Sequence, residues 1–190
     1  MLSFRSDEAS YSDHPYTRKG QTLYLVFESA LLLLFSSCFY CSCYTSVKKV
    51  VLGSFLRIIQ TCSHCSRRRT WESQPYIGKI PAGNILTSAA ILYSGALPSK
   101  VLQMFRILNL ATISRQTFFR HQSQYLQPAI HHVWKRSQEL LLRSLKEKKN
   151  PIVLAGDGRS DSPGHSAKYG SYSILELTCN KIVDFKLVQV

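Results

Sequence analysis

The sequence predicts an α+β chain with four parts: a zinc-ribbon-like module, a small helix-turn-helix-like module, a long helix and the first strands of a β-sheet. Three observations carry this reading. Two Cys-x-x-Cys pairs flank a β-branched stretch with a glycine turn. Residues 82–149 then space apolar side chains by three and four, punctuated by Pro98, Ser114 and Pro128. From Ile152 onward, β-branched and aromatic runs return between glycine and asparagine turns.

Residues 1–22 mix Ser, Asp, Tyr, Arg and Gly without a period, so a disordered lead-in is expected. The N-terminus has no apolar core behind a basic start and does not read as a secretory signal, which favours a reducing compartment. Residues 23–44 carry one charge, Glu28, and Lys48 and Lys49 follow. That length suffices to span a bilayer, so a membrane-anchored basic protein is one alternative. Against it, Ser36, Ser37 and Ser42 interrupt the run. Metal ligands at Cys38 and Cys41 also cannot lie in lipid while their partners lie beyond the lysines. A short buried helix from about Tyr24 to Phe35 is expected instead.

Cys38-Phe39-Tyr40-Cys41 and Cys62-Ser63-His64-Cys65 are separated by 20 residues. A two-residue gap lets one tight knuckle offer two sulfurs to one ion, and a second knuckle completes a tetrahedron. Structural zinc on Cys38, Cys41, Cys62 and Cys65 is the expected cofactor. Cys43 and His64 are spare ligands. The alternatives are packed reduced thiols or a disulfide pair. Between the knuckles, Val47 to Ile59 reads as a hairpin turning at Gly53-Ser54, and Arg67-Arg68-Arg69-Thr70-Trp71 reads as a third strand. Residues 23–74 thus form a helix plus a ribbon.

The formal net charge is +13. Between Cys38 and Lys149 the only acids are Glu72, Glu139 and Glu147, against 17 Lys and Arg. Such a field points to an anionic partner, nucleic acid or an acidic membrane, unless it is only a solvated surface. Arg67, Arg68 and Arg69 beside an aromatic suit phosphate and base stacking.

Pro75 and Pro81 mark a linker. Residues 82–127 then hold three helices: about Asn84–Tyr93, about Pro98–Leu108, and one capped by Ser114. Read as helix-turn-helix, the last offers Arg115, Gln116, Arg120, His121 and Gln122 to a major groove; otherwise it is the polar face of a bundle. Residues 128–149 form a connecting helix, with Ile130, Val133, Trp134, Ser137, Leu141 and Leu145 as its inward stripe. In residues 151–190, Ile152–Ala155 reads as a buried strand with Asp157 just past its end. Tyr172–Leu177 and Ile182–Val190 read as a hairpin around Asn180-Lys181.

The stretch Ala155 to Gly170 resembles a segment of transposase-derived proteins of animal genomes, of the Kolobok-like DNA transposase class. So do Val26–Ser29, Arg69–Pro75 and Ile80–Asn84, in the same order. The resemblance spans roughly residues 23–190. It implies a zinc and helical DNA-binding part, followed by an RNase H-like domain whose acidic triad holds two divalent metals. Asp157 matches the first acid, with Asp161 a nearby alternative. Ser160 stands where relatives carry cysteine, and the later acids are not found before Val190. Magnesium or manganese would be required only by a complete triad. His165 has no partner for a hydrolase triad. The expected role is DNA binding in the nucleus without cleavage by this chain. The alternative is a competent transposase acting with further chain. No small-molecule substrate is evident.

Overall fold

A computed structural model describes residues 22–147, 151–162 and 166–189. The expected lead-in up to residue 21, the lysine-rich helix end expected at 148–149, His165 and Val190 lie outside those residues. The chain divides into two compact units, Met1–His121 and Gln122–Val190.

In the first unit a six-residue helix, α1 (Glu28–Leu33), precedes the ribbon. It is not the buried helix expected over 24–35. None of its residues is buried, and only Phe35 beyond it enters the core. No side chain caps its start at Phe27, and the chain turns away at the serines. Among the described residues no helix is long and apolar enough to cross a membrane.

Strands β1 (Thr45–Leu52) and β2 (Phe55–Cys62) pair antiparallel, from Thr45 opposite Cys62 to Leu52 opposite Phe55. Gly53 makes the turn in the left-handed region, at φ 63°, where a side chain would be strained. Strand β3 (Arg68–Glu72) pairs with the other edge of β2. The central strand buries Phe55, Ile58, Gln60 and Cys62, and Trp71 packs on Phe35 with ring centroids 5.5 Å apart. The expected linker is a small hairpin instead, β4 (Tyr76–Ile77) with β5 (Ile80–Pro81), turning at Gly78 with φ 59°.

Three helices follow: α2 (Ala82–Tyr93), α3 (Pro98–Ile107) and α4 (Arg115–His121). Ile91, Leu102, Ile113 and Phe118 form their core, with Val101 and Phe105 against it. Pro98 opens α3, where its missing N–H costs nothing. The Ser114 hydroxyl accepts the Thr117 N–H at 3.1 Å, the expected cap for α4. The short connection containing Gly95 lies between α2 and α3, whereas Leu108 to Ser114 separate α3 from α4. Asn84 fastens α2 to the hairpin turn. Its Oδ1 accepts the Ser54 N–H and hydroxyl, each at 2.8 Å, and its Nδ2 donates to the Leu52 carbonyl at 2.8 Å.

The second unit begins with a π-helical stretch, Gln122–Leu126, ahead of α5 (Gln127–Glu147). Pro128 has no N–H to return to the preceding turn, and the widened stretch lies there. The buried positions of α5 are Gln138 and Leu145, with Trp134 and Leu141 half-buried. Ile130, Val133 and Ser137 of the expected stripe are exposed. The face is turned because Gln138 is used as a polar anchor: its Nε2 donates to the Val183 carbonyl at 3.0 Å and to Asp184 at 2.9 Å. Trp134 stacks edge-on against Phe185, with centroids 5.0 Å apart.

The sheet is antiparallel, in the order β6 (Leu154–Ser160), β7 (Tyr169–Glu176), β8 (Lys181–Gln189). The expected buried strand at 152–155 is displaced. The strand runs on through Gly156 and Gly158, and all of it is exposed. A Cβ at Gly156 would meet the hydroxyl end of the Tyr172 side chain across the ladder, a half-exposed ring that can swing aside. Asp157 therefore lies mid-strand, opposite Ser173, and not past the strand end.

Candidate metal centre and basic surface

Each knuckle is a tight turn closed by its own backbone. In the first, Cys38 N–H donates to the Cys43 carbonyl at 2.8 Å and Ser42 N–H to the Cys38 carbonyl at 2.9 Å. In the second, Cys62 N–H donates to the Arg67 carbonyl at 3.0 Å. The residue after each second cysteine is left-handed, Ser42 at φ 57° and Ser66 at φ 55°. Serine here fills a position more often given to glycine. Gln60 holds the first knuckle to the sheet. Its Nε2 donates to the carbonyls of Phe35 at 3.2 Å and Ser37 at 2.8 Å.

These turns bring together all four predicted ligands. The sulfurs of Cys38, Cys41, Cys62 and Cys65 lie within 4.8 Å of one another and can hold a metal ion. The pairs across the knuckles are tighter, Cys38 to Cys65 at 3.6 Å and Cys41 to Cys62 at 3.5 Å. A tetrahedron with Zn–S bonds of ~2.3 Å has edges of about 3.8 Å, so the donor set fits such an ion. None of the six cysteines is joined in a disulfide.

The electrostatics of the cluster point the same way. The Tyr40 and Cys41 amides bring the Cys38 thiol down to about 6. The Cys65 amide also lowers Cys62. Cys41 goes the other way: the Cys43 amide pulls it down, but burial and the neighbouring sulfurs outweigh that and push it up. Cys65 is likewise raised, by burial and Cys38 against the Arg67 amide. Four sulfurs this close cannot all ionise unaided; a divalent cation compensates four thiolates at once.

The arginines divide by strand alternation. Arg69 shares a face with Trp71, two residues on, and its guanidinium lies 5.6 Å from the Phe39 ring and 5.8 Å from that of Phe35. Arg67 stacks over Tyr40 at 4.0 Å. Arg68 alternates to the opposite face of β3. Phe39 is 82% exposed and Tyr40 65%, so both rings keep solvent-facing surface.

On α4, Arg115, Gln116 and Arg120 are exposed, and Arg115 lies 5.5 Å from the Phe119 ring. His121 is different. It is 3% exposed and its Nδ1 shares a 2.9 Å hydrogen bond with the Ser88 hydroxyl. Burial, then Arg120, lowers its pKa. The expectation that His121 reads a groove is thus corrected: it faces the helical core, because Phe118 and His121 fall three apart on the inward side.

The acids of the second unit are dispersed. The Asp157 carboxylate is exposed and accepts the Gly158 N–H at 2.8 Å. Asp161 accepts the Lys168 N–H at 3.2 Å in the following turn. Glu176 is buried and caps the β7–β8 turn, taking the Cys179 N–H at 2.7 Å. The Cys179 side chain and amide, with Thr178, hold Glu176 down to about 2. Asp184 is taken by Gln138. Among the described residues, the groups of three or more metal-capable side chains are both cysteine clusters at the knuckles. The second of these, Cys41 with Cys43 and His64, was foreshadowed only by the spare ligands of the sequence. No family model, curated protein or solved structure matches the chain.

Proposed function

We propose that the chain binds DNA through a zinc ribbon, as the DNA-binding part of a transposase-like protein acting in the nucleus. The observation that carries this is the pair of arginines, Arg67 and Arg69, held over the exposed rings of Tyr40 and Phe39 beside the four sulfurs. A guanidinium stacked on a ring keeps its in-plane N–H groups free for phosphate, and the ring edge remains for a base. Zinc is the ion that four thiolates at this spacing favour, and its role is to fix the knuckles that carry the aromatics. The net charge of +13 supplies the attraction, and Arg115, Gln116 and Arg120 of α4 add a second basic face.

For the second unit we propose the opening strands of an RNase H-like sheet. The all-antiparallel order and the acid on its first strand support that. Two-metal chemistry requires carboxylates that converge on both ions. Asp157 is exposed on the ladder, while Glu176 and Asp184 are engaged in a turn and a helix contact. The proposed activity is therefore binding without strand cleavage.

The test is the salt dependence of affinity for duplex and single-stranded DNA. The double variant Arg67→Ala with Arg69→Ala should reduce the slope of log affinity against log salt by about 2, one for each phosphate left without its guanidinium. Arg68→Ala should leave the slope nearer that of the wild type. An unchanged slope in the double variant overturns the proposal.

A further inference from the structure

The knuckles carry two potential ligands that the four-sulfur site does not use. Cys43 follows Cys41 by two residues, and the left-handed Ser42 between them folds the chain back so that both thiols face the same side. Its carbonyl is pinned by the Cys38 N–H at 2.8 Å, so Cys43 is fixed by the same turn that presents Cys38 and Cys41. His64 sits at the tip of the other knuckle, between Cys62 and Cys65, and is exposed. The Cys41 sulfur, the Cys43 sulfur and a His64 ring nitrogen all lie within 4.8 Å of one another.

We propose that Cys41, Cys43 and His64 form a second metal position on the rim of the ribbon, sharing the Cys41 thiolate with the four-sulfur site. Two sulfurs and an imidazole suit a borderline-soft ion such as zinc or cadmium. Three protein donors leave the fourth tetrahedral corner open to water or another donor, whereas the four-sulfur site is closed. Four thiolates around one divalent ion carry a net charge of about −2, so a shared sulfur remains a competent donor to a second cation. Cys43 is half-buried and His64 exposed, so the rim position exchanges with solvent more readily than the inner one. It fills second and more weakly.

The inference rests on the four-sulfur reading only for the shared Cys41. Cobalt titration of the full chain, reduced and under anaerobic conditions, tests it through the thiolate-to-cobalt charge-transfer bands. The wild type should take two equivalents in two steps, the second altering the charge-transfer spectrum through the bridging sulfur. Cys43→Ser with His64→Ala should abolish the second step and keep the first; the retained step also shows that the ribbon still folds. Saturation at one equivalent that Cys62→Ser abolishes and the double variant does not would refute the rim position and leave the inner site standing. A second step that persists in the double variant refutes it as well. No cobalt bound at all would overturn both sites together.

Discussion

Asn84 is the polar joint between the ribbon turn and the helical module, and its removal is the sharpest test of how the first unit is assembled. Its side chain is 4% exposed and makes three hydrogen bonds of 2.8 Å, two accepted from Ser54 and one donated to Leu52. Each such bond is worth about 1 kcal/mol net. The Leu52 side chain is exposed at the hairpin end, and water can reach this turn once the amide is gone. The full penalty for a buried orphan therefore does not apply, and Asn84→Ala should cost about 2–3 kcal/mol. Urea unfolding followed by Trp71 fluorescence, in a Trp134→Phe background, reads this from the midpoint and slope. Ser54→Ala provides a double-mutant cycle: because it shares a bond with Asn84, the two changes should fall short of additivity by at least about 0.5 kcal/mol. A loss below about 0.5 kcal/mol in Asn84→Ala, or full additivity with Ser54→Ala, would refute the joint.

The reduced full chain should hold about one zinc at the four sulfurs and Cys62→Ser should lose it, measured as zinc per chain; equal content in the two would exclude Cys62 as a ligand. Stability should fall on acidification below about 6.5, the ordinary value for histidine, because folding depresses the His121 pKa and the unfolded chain takes the proton first. Above that pH the contribution is fully present. A urea midpoint that falls between pH 7.5 and 5.5 equally in wild type and His121→Gln would show another group to be responsible. Gly156→Ala brings a methyl against the end of the Tyr172 side chain, which is half exposed and free to swing aside, so the change in stability should stay within about 0.5 kcal/mol. A loss above about 1 kcal/mol in urea unfolding would show that the Tyr172 ring is held in place.

Local chemistry made much of the first unit legible. Cysteine spacing, a glycine needing φ 63°, a proline at a helix start and a serine cap each specify their structure within a few residues. What stayed hidden depended on partners distant in sequence. Asp157 lies past a strand end on local sequence alone, and only the pairing of Gly156 with Ile174 and Gly158 with Tyr172, on a distant strand, carries β6 on through it. His121 looks like a polar reader until Ser88, 33 residues away, is placed beside it. Gln138 disrupts an apolar stripe on α5, and its reason lies at Val183 and Asp184. The four sulfurs were predictable as a group. The rim set was not, because a lone Cys-x-Cys and an interposed histidine have no spacing rule of their own.

The β1–β2 hairpin is clasped at its two ends by unlike fasteners, sulfur at Cys62 and an amide at Gly53-Ser54. Eight residues at ~3.4 Å each put about 27 Å between them. A metal ion held by the four sulfurs would keep the first clasp shut, and its removal would leave only the second. The ladder should then fray directionally, with amides near Thr45 and Cys62 exchanging with deuterium first and those near Leu52 and Phe55 last. The rings of Phe39 and Tyr40 ride on that end, so a nucleic acid gripping them would slow amide exchange at the same positions that such a metal would protect.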